Sequence, residues 1–173
     1  LASRIAGISL MGGGTFGNRT AAAEFNIWCD PEAAAVVFGY GGPLIMAGLD
    51  LTHQFQAVPE RIEMVRALNG RLATVLADLL DFFSGTYRSR HHGIAGAAVH
   101  DPLAVMALTH PHLFQRRFAH VEVETGGHLT QGMTVIDQRD LKEVPEPNCD
   151  WLTGLDADAA WDVVVESIAH FSR

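Results

Sequence analysis

Asn18, Glu24 and Asn26 lie close together in the stretch GGGTFGNRTAAAEFNIWCDP, residues 12–31, amid alanine and aromatic residues. Just before it, an apolar run from Ile5 to Leu10 gives way to glycines. Amides and a carboxylate on a loop after a strand can hold the hydroxyls of a polar ligand. The same residue types near turns also satisfy backbone groups, so loop chemistry alone accounts for them too. A second candidate is Asp101 in His100-Asp101-Pro102. Aspartate before proline is a helix-start pattern, with a capping carboxylate and a first-turn residue whose missing N–H costs nothing. His91-His92 and His110-x-His112 invite a zinc reading. Neighbouring histidines do not share a face, however, and no H-x-x-x-H or cysteine pair supports them.

These residues need elements to position them. The chain has 173 residues, nearly half of them apolar, which suits one domain with a real core. A formal net charge of −8 without a basic run argues against a nucleic-acid partner. No apolar segment is long enough to cross a bilayer, and no signal peptide opens the chain. Cys29 and Cys149 lack metal-type spacing and read as two reduced thiols. The expectation is a soluble cytoplasmic protein whose sequence starts inside a larger one, since Leu1 runs almost directly into a buried-type strand.

Ile5 to Leu10 reads as an interior strand of a parallel sheet. Gly12-Gly13-Gly14-Thr15-Phe16-Gly17 fits G-x-G-x-x-G, but a dinucleotide loop needs a helix opening directly at the glycines, and the clear helix start comes only at Asp30-Pro31-Glu32. Pro31 to Phe38 is a short helix and Leu44 to Leu51 a second buried strand. After Pro59, Ile62, Val65, Leu68, Leu72, Leu76 and Leu79 predict a helical stripe facing the core, bent or broken at Gly70. Arg88 to Gly96 reads as a loop, Leu103 to Leu108 as a helix. Phe118 to Glu124 and Met133 to Asp137 form a hairpin or adjacent strands. Ala157 to Phe171 is a closing helix with Trp161, Val164, Val165, Ile168 and Phe171 inward. Phe25 and Trp28 are expected in the core. Strands alternating with helices give an α/β fold with a mostly parallel sheet.

MGGGTFGNRTAAAEFNIWCDPEAA resembles the central segment of the calcium-dependent nucleoside hydrolases, the inosine-uridine preferring N-ribohydrolases. The resemblance continues through GGPLIMAGLDLTHQ, GAAVHDPLAV and VEVETGGHLTQGMTVIDQR, in family order. It implies a Rossmann-like nucleoside hydrolase fold with flanking helices, residues 1–173 forming the C-terminal part of one domain with its N-terminal portion missing. It implies hydrolysis of the N-glycosidic bond of purine or pyrimidine ribonucleosides to ribose and free base, in nucleoside catabolism and salvage. By the same resemblance Met11, Asn18, Glu24 and Asn26 bind ribose, Asp101 is a Ca2+ ligand, and His100 assists the leaving base. Tyr87 and His92 fall where the family carries variable base-recognition residues. A carboxylate and tightly held hydroxyls suit this chemistry, because glycosidic cleavage builds oxocarbenium character on the sugar.

The family's D-x-D-x-x-x-D-D cluster, which supplies most calcium ligands and the general base, has no counterpart here. Asp156-x-Asp158 lies beside the last helix in a different context. The calcium site is therefore expected to be incomplete in this chain. The family's habit of oligomerising implies a homo-oligomer, or association with the missing N-terminal half. The alternative reading is a truncated, catalytically inactive half-domain acting as a binding or assembly module.

Overall fold

The computed structural model describes residues 4–90 and 95–172. In chain order the elements are β1 (Ile8–Met11), α1 (Phe25–Cys29), α2 (Pro31–Phe38), β2 (Leu44–Ala47), α3 (Leu49–Thr52), β3 (Gln56–Ala57), α4 (Pro59–Arg66) and α5 (Gly70–Arg90). There follow β4 (Ala97–Ala98), α6 (Pro102–Thr109), a 3-10 turn at Pro111–Leu113, β5 (Phe114–Ala119), β6 (Val121–Val123), β7 (Thr134–Ile136), β8 (Cys149–Leu155) and α7 (Ala157–Phe171). They make two compact units, Leu1–Thr52 with His100–Gly154, and His53–Val99 with Leu155–Arg173.

The first unit is built on a four-stranded sheet in the order β1-β2-β8-β5. β1 runs parallel to β2, with Ile8 opposite Leu44, and β2 runs parallel to β8, with Met46 opposite Trp151. Ile27, Phe38, Leu44, Met46, Val121, Cys149 and Trp151 form its core. The α/β arrangement with parallel pairing is the expected one, but β1 is corrected: it starts at Ile8 and lies at the edge of this sheet, only partly buried, rather than in its interior. Burial pushes the Cys149 thiol up to about 12, and both cysteines are free. The second strand is shorter than its apolar run. Ala47 ends it, because Gly48 turns the chain into α3, where Leu49 N–H donates to the Gly13 carbonyl at 2.8 Å. β8 follows a proline-bearing loop and its polar positions break the apolar pattern, so nothing local announces it.

A β6–β7 hairpin completes this unit, antiparallel with Glu122 opposite Val135. Charge holds it. His120 Nδ1 bonds the Glu146 carbonyl at 2.8 Å, and its Nε2 lies 3.3 Å from Glu122. The Glu146 carbonyl, then Glu122, raise the His120 pKa. Arg139 holds the Asp137 carboxyl down at about 2, through a bond of 2.6 Å. A raised histidine stabilises the fold below its unfolded value of ~6.5 and loses that contribution as pH rises through the folded value. A depressed carboxyl stabilises above its ordinary 3.8 and loses that contribution as pH falls through about 2. The melting temperature is expected to decline as pH rises from about 6.5 through the raised folded value of His120. His120→Gln should flatten that decline in a pH series of thermal melts, and an unchanged slope would count against it.

In the second unit β3 and β4 pair antiparallel, and Ser84 of α5 ties to both. Its Oγ donates to the Ala57 carbonyl and accepts from Ala97 N–H, each at 3.1 Å. Phe55 and Trp161 pack at 5.3 Å between ring centroids, and Arg61 lies over both rings and pairs with Asp158 at 2.7 Å. The expected break falls between α4 and α5, where Asn69 and Gly70 take φ of 58° and 83°. The expected inward stripe holds in α4, where Ile62 and Val65 are buried, and is corrected in α5. α5 buries Ala73, Ala77 and Ser84, while Leu72 and Leu79 are exposed. The helix also runs on to Arg90, through the first residues of the expected loop. Phe171 of α7 also faces outward, as do Phe25 and Trp28 in the first unit. No helix among the described residues is long and apolar enough to cross a membrane.

Candidate functional site

The loop after β1 is held by side chains. Gly13 N–H donates to Glu24 Oε2 at 3.0 Å, Gly14 N–H to Thr134 Oγ1 at 2.9 Å, and Thr15 N–H to Asp50 Oδ2 at 2.9 Å. Thr15 Oγ1 also donates to Asp50 Oδ1. Thr134 Oγ1 donates back to the Gly14 carbonyl at 2.8 Å. Gly13 must be glycine: its φ is +72°, and a Cβ would stand 2.6 Å from the Thr134 methyl. A phosphate-binding loop needs these N–H groups open, and two of the three already point at carboxylates. The glycine run is therefore no dinucleotide cradle.

Glu24 is the centre of this arrangement. It is buried, and Oε2 also accepts from Asn26 and Ile27 N–H at 2.9 and 3.2 Å, capping α1. All three of these bonds fall on one oxygen. Among the described residues Oε1 takes no hydrogen bond, and it is not among the sealed, unpartnered atoms. Asn26 uses Nδ2 on Met11, reaching the carbonyl at 3.3 Å and Sδ at 3.2 Å. Asn18 uses Oδ1 to accept from Phe25 N–H at 2.8 Å. Each amide keeps its other end turned to no partner among the described residues, Oδ1 on Asn26 and Nδ2 on Asn18. Carboxylate oxygen, amide oxygen and amide nitrogen together suit a polyhydroxylated ligand, which both donates and accepts.

Asp101 behaves unlike the other acidic helix starts. Glu24 caps α1, Asp30 caps Ala33 N–H at 2.9 Å, and Asp156 caps Ala159 N–H at 3.1 Å. Asp101 precedes Pro102 of α6 but makes no capping bond. Its φ of −66° and ψ of −36° are already helical, whereas capping residues take extended backbone. The helix starts at Asp101-Pro102 as expected, but the capping bond does not form, and the carboxylate is exposed. α6 is fixed to β1 one turn later, where Ser9 Oγ donates to the Ala104 carbonyl at 2.6 Å. His100 Nδ1 lies 2.8 Å from Thr52 Oγ1, and Thr52 is fully buried. One short helix, α3, thus carries Asp50 against the glycine loop and Thr52 against His100.

A family model described as inosine-uridine preferring nucleoside hydrolase matches residues 1–162. The chain belongs to that family. The pyrimidine-specific ribonucleoside hydrolase RihA of Enterobacter sp. (strain 638) is 44% identical over 170 residues, 98% of this chain and 54% of the relative. Its namesake from Shewanella sp. (strain MR-7) is 44% identical over 173 residues, 99% of this chain and 54% of the relative. Among solved structures, the purine-preferring ribonucleoside hydrolase from Gardnerella vaginalis shares 32% identity at a TM-score of 0.85, over 96% of this chain and 52% of that one. The chain spans about half the length of the curated relatives it matches.

Of the residues that the nucleoside hydrolase resemblance singles out, the structure gathers Met11, Asn18, Glu24 and Asn26 around one loop. It places His100 and Asp101 at the start of α6 in the same unit. Tyr87 lies in the other unit, its ring 5.1 Å from Phe83 and its hydroxyl pKa raised by burial. His92 lies outside the described residues. No group of three or more His, Cys, Asp or Glu side chains able to hold a metal forms among the described residues. Among the described residues Asp101 offers one carboxylate toward a calcium shell of about six to eight oxygens, so they supply only part of such a site.

Residue types alone gave no sign of Thr52, Thr134 or Asp50, which act through contacts distant in sequence. Thr52 contributes one hydrogen bond to holding His100. In an active assembly Thr52→Val is expected to lower kcat roughly tenfold, about the worth of one hydrogen bond, with little change in KM. Thr52→Ser should restore most of it. Loss of KM alone, or no rescue by serine, would remove the assignment.

Proposed function

We propose that this chain is the sugar-binding and leaving-group side of a ribonucleoside N-glycosidase acting on pyrimidine ribonucleosides. The observation that carries the reading is Glu24: a buried carboxylate locked by three backbone N–H groups on one oxygen, with the other left for a ligand. Asn18, Asn26 and Met11 flank it, as a ribose with several hydroxyls requires. In the reaction the bond between the sugar's anomeric carbon and the base nitrogen breaks, and water adds to that carbon. Glu24 counters the positive charge that develops on the sugar, and the held hydroxyls keep the ring in place. His100, oriented by Thr52, hands a proton to the departing base. Calcium would take Asp101 as one oxygen ligand. The described residues do not supply the remainder of that shell or a base to activate water.

Pyrimidine preference is supported by the names of the RihA relatives, while the Gardnerella structure's name points to purines. Tyr87 and His92 are the residues we assign to base choice. The reading as a non-catalytic binding or assembly module is favoured by the lack of a metal-holding cluster among the described residues. A chimera separates these readings, with this chain replacing the corresponding half of the Enterobacter relative. We expect kcat/KM for uridine to exceed that for inosine by about tenfold or more, a difference a shaped pocket supplies. A ratio reversed toward inosine would contradict the pyrimidine assignment. Absence of turnover in a folded chimera would favour the module.

A further inference from the structure

None of the side chains assigned to the sugar site comes from the β6–β7 hairpin, yet the hairpin grips the segment that carries Glu24 at both ends. At one end is Thr134, 2% exposed, whose hydroxyl is spent on a single residue. Its Oγ1 accepts from Gly14 N–H at 2.9 Å and donates to the Gly14 carbonyl at 2.8 Å. At the other end is Gly132, at φ +81°, where a Cβ would stand 2.9 Å from the Trp28 Cα and 3.3 Å from the Ala23 Cβ. Ala23 immediately precedes Glu24, and Trp28 N–H donates to the Glu24 carbonyl at 2.8 Å. The hairpin's own ladder fixes the spacing of these two contacts. Val123 lies opposite Thr134, and Gly132 N–H donates to the Glu124 carbonyl at 2.7 Å.

Glycine takes positive and negative φ about equally, so nothing in Gly12-Gly13-Gly14 selects its own conformation. The peptide between Gly13 and Gly14 is pinned from outside, its N–H by Thr134 and its carbonyl by Leu49 N–H at 2.8 Å. With that peptide held and Gly13 wedged against the Thr134 side chain, Gly13 N–H meets Glu24 Oε2 at 3.0 Å. We propose that Thr134 is a positioning residue, which acts through Gly13 to aim the Glu24 carboxylate at the sugar. It touches no substrate itself. The inference rests on the sugar-site reading of Glu24 and adds to it what sets the direction of the charge. A reacting group displaced by about 1 Å can lose on the order of a hundredfold in rate, so one remote hydroxyl can matter this much.

The test is a double-mutant cycle in the chimera, with Thr134→Val and Glu24→Gln alone and together, read as initial rates on uridine. Valine keeps the shape of threonine without its hydroxyl. Thr134→Ala also removes the hydroxyl and carries the same cycle if the valine variant does not fold. Thr134→Val is expected to lower kcat about ten- to a hundredfold with KM within about threefold, and Thr134→Ser to restore most of the rate. In the Glu24→Gln background the same substitution should change kcat/KM by less than about threefold, because a side chain without charge loses little by being misaimed. Amide hydrogen exchange on the 173-residue chain follows the link itself. Gly13, whose acceptor is Glu24, should lose protection in Thr134→Val along with Gly14. Equal rate losses in both backgrounds, or Gly13 protection unchanged while that of Gly14 falls, would overturn the proposal and leave Glu24 its role. A chimera in which Glu24→Gln keeps the parental rate overturns the sugar-site reading first, and this proposal with it.

Discussion

Glu24→Gln is expected to lower kcat/KM for uridine by roughly a hundred- to a thousandfold in the chimera, the range seen when a group aimed at transition-state charge is removed. The fold should survive. Glutamine keeps an oxygen that can accept from Gly13, Asn26 and Ile27 N–H, so only the charge-assisted part of three bonds is lost, about 1–2 kcal/mol. Glu24→Ala removes the acceptor itself and strands those donors, and should cost about 3–5 kcal/mol. The comparison of the two variants separates chemistry from architecture. Were Glu24 only a helix cap, the glutamine variant would keep its activity within a few-fold. Thermal melts of the 173-residue chain and initial rates in the chimera give both numbers.

For Asp101→Asn the expected pattern is inverted. Its carboxylate caps nothing, so the variant of the 173-residue chain should melt within about 0.5 kcal/mol of the parent, as surface substitutions do. Asp30→Ala, by contrast, removes a real cap and should cost about 1 kcal/mol. In the chimera Asp101→Asn should reduce uridine hydrolysis by at least about a hundredfold, because an amide oxygen is a much weaker ligand for a hard cation than a carboxylate. Higher calcium should recover part of the rate. A large loss of stability in the isolated chain would return Asp101 to a structural role.

Punctuation explains which parts of the fold were legible. Pro31, Gly39, Pro102 and the Gly126-Gly127 pair mark α2, α6 and the β6–β7 hairpin directly in the sequence. β8 carries no such marks and owes its place between β2 and β5 to pairing with strands far away in the chain. The orientation of α5 was misread because leucine, alanine and phenylalanine occur around much of the helix. Periodicity alone could not tell a face that packs by small residues from one whose large residues stay exposed among the described residues. Asp101-Pro102 marked the start of α6 correctly, but nothing in the sequence showed that helical φ and ψ at Asp101 would leave its carboxylate without a capping bond. Asn18, Glu24 and Asn26 were legible as residue types, and the resemblance pointed to their shared task. The locking of the glycine loop by Thr134 and Asp50 was not, since contacts 120 and 35 residues apart leave no local trace.

Ribose release from uridine by the chimera, with and without a calcium chelator, tests the central claim most directly. Steady release that the chelator stops, calcium restores and Glu24→Gln nearly abolishes is the result predicted. Release that persists at the parental rate in Glu24→Gln, or none from a folded, calcium-supplied chimera, would contradict it.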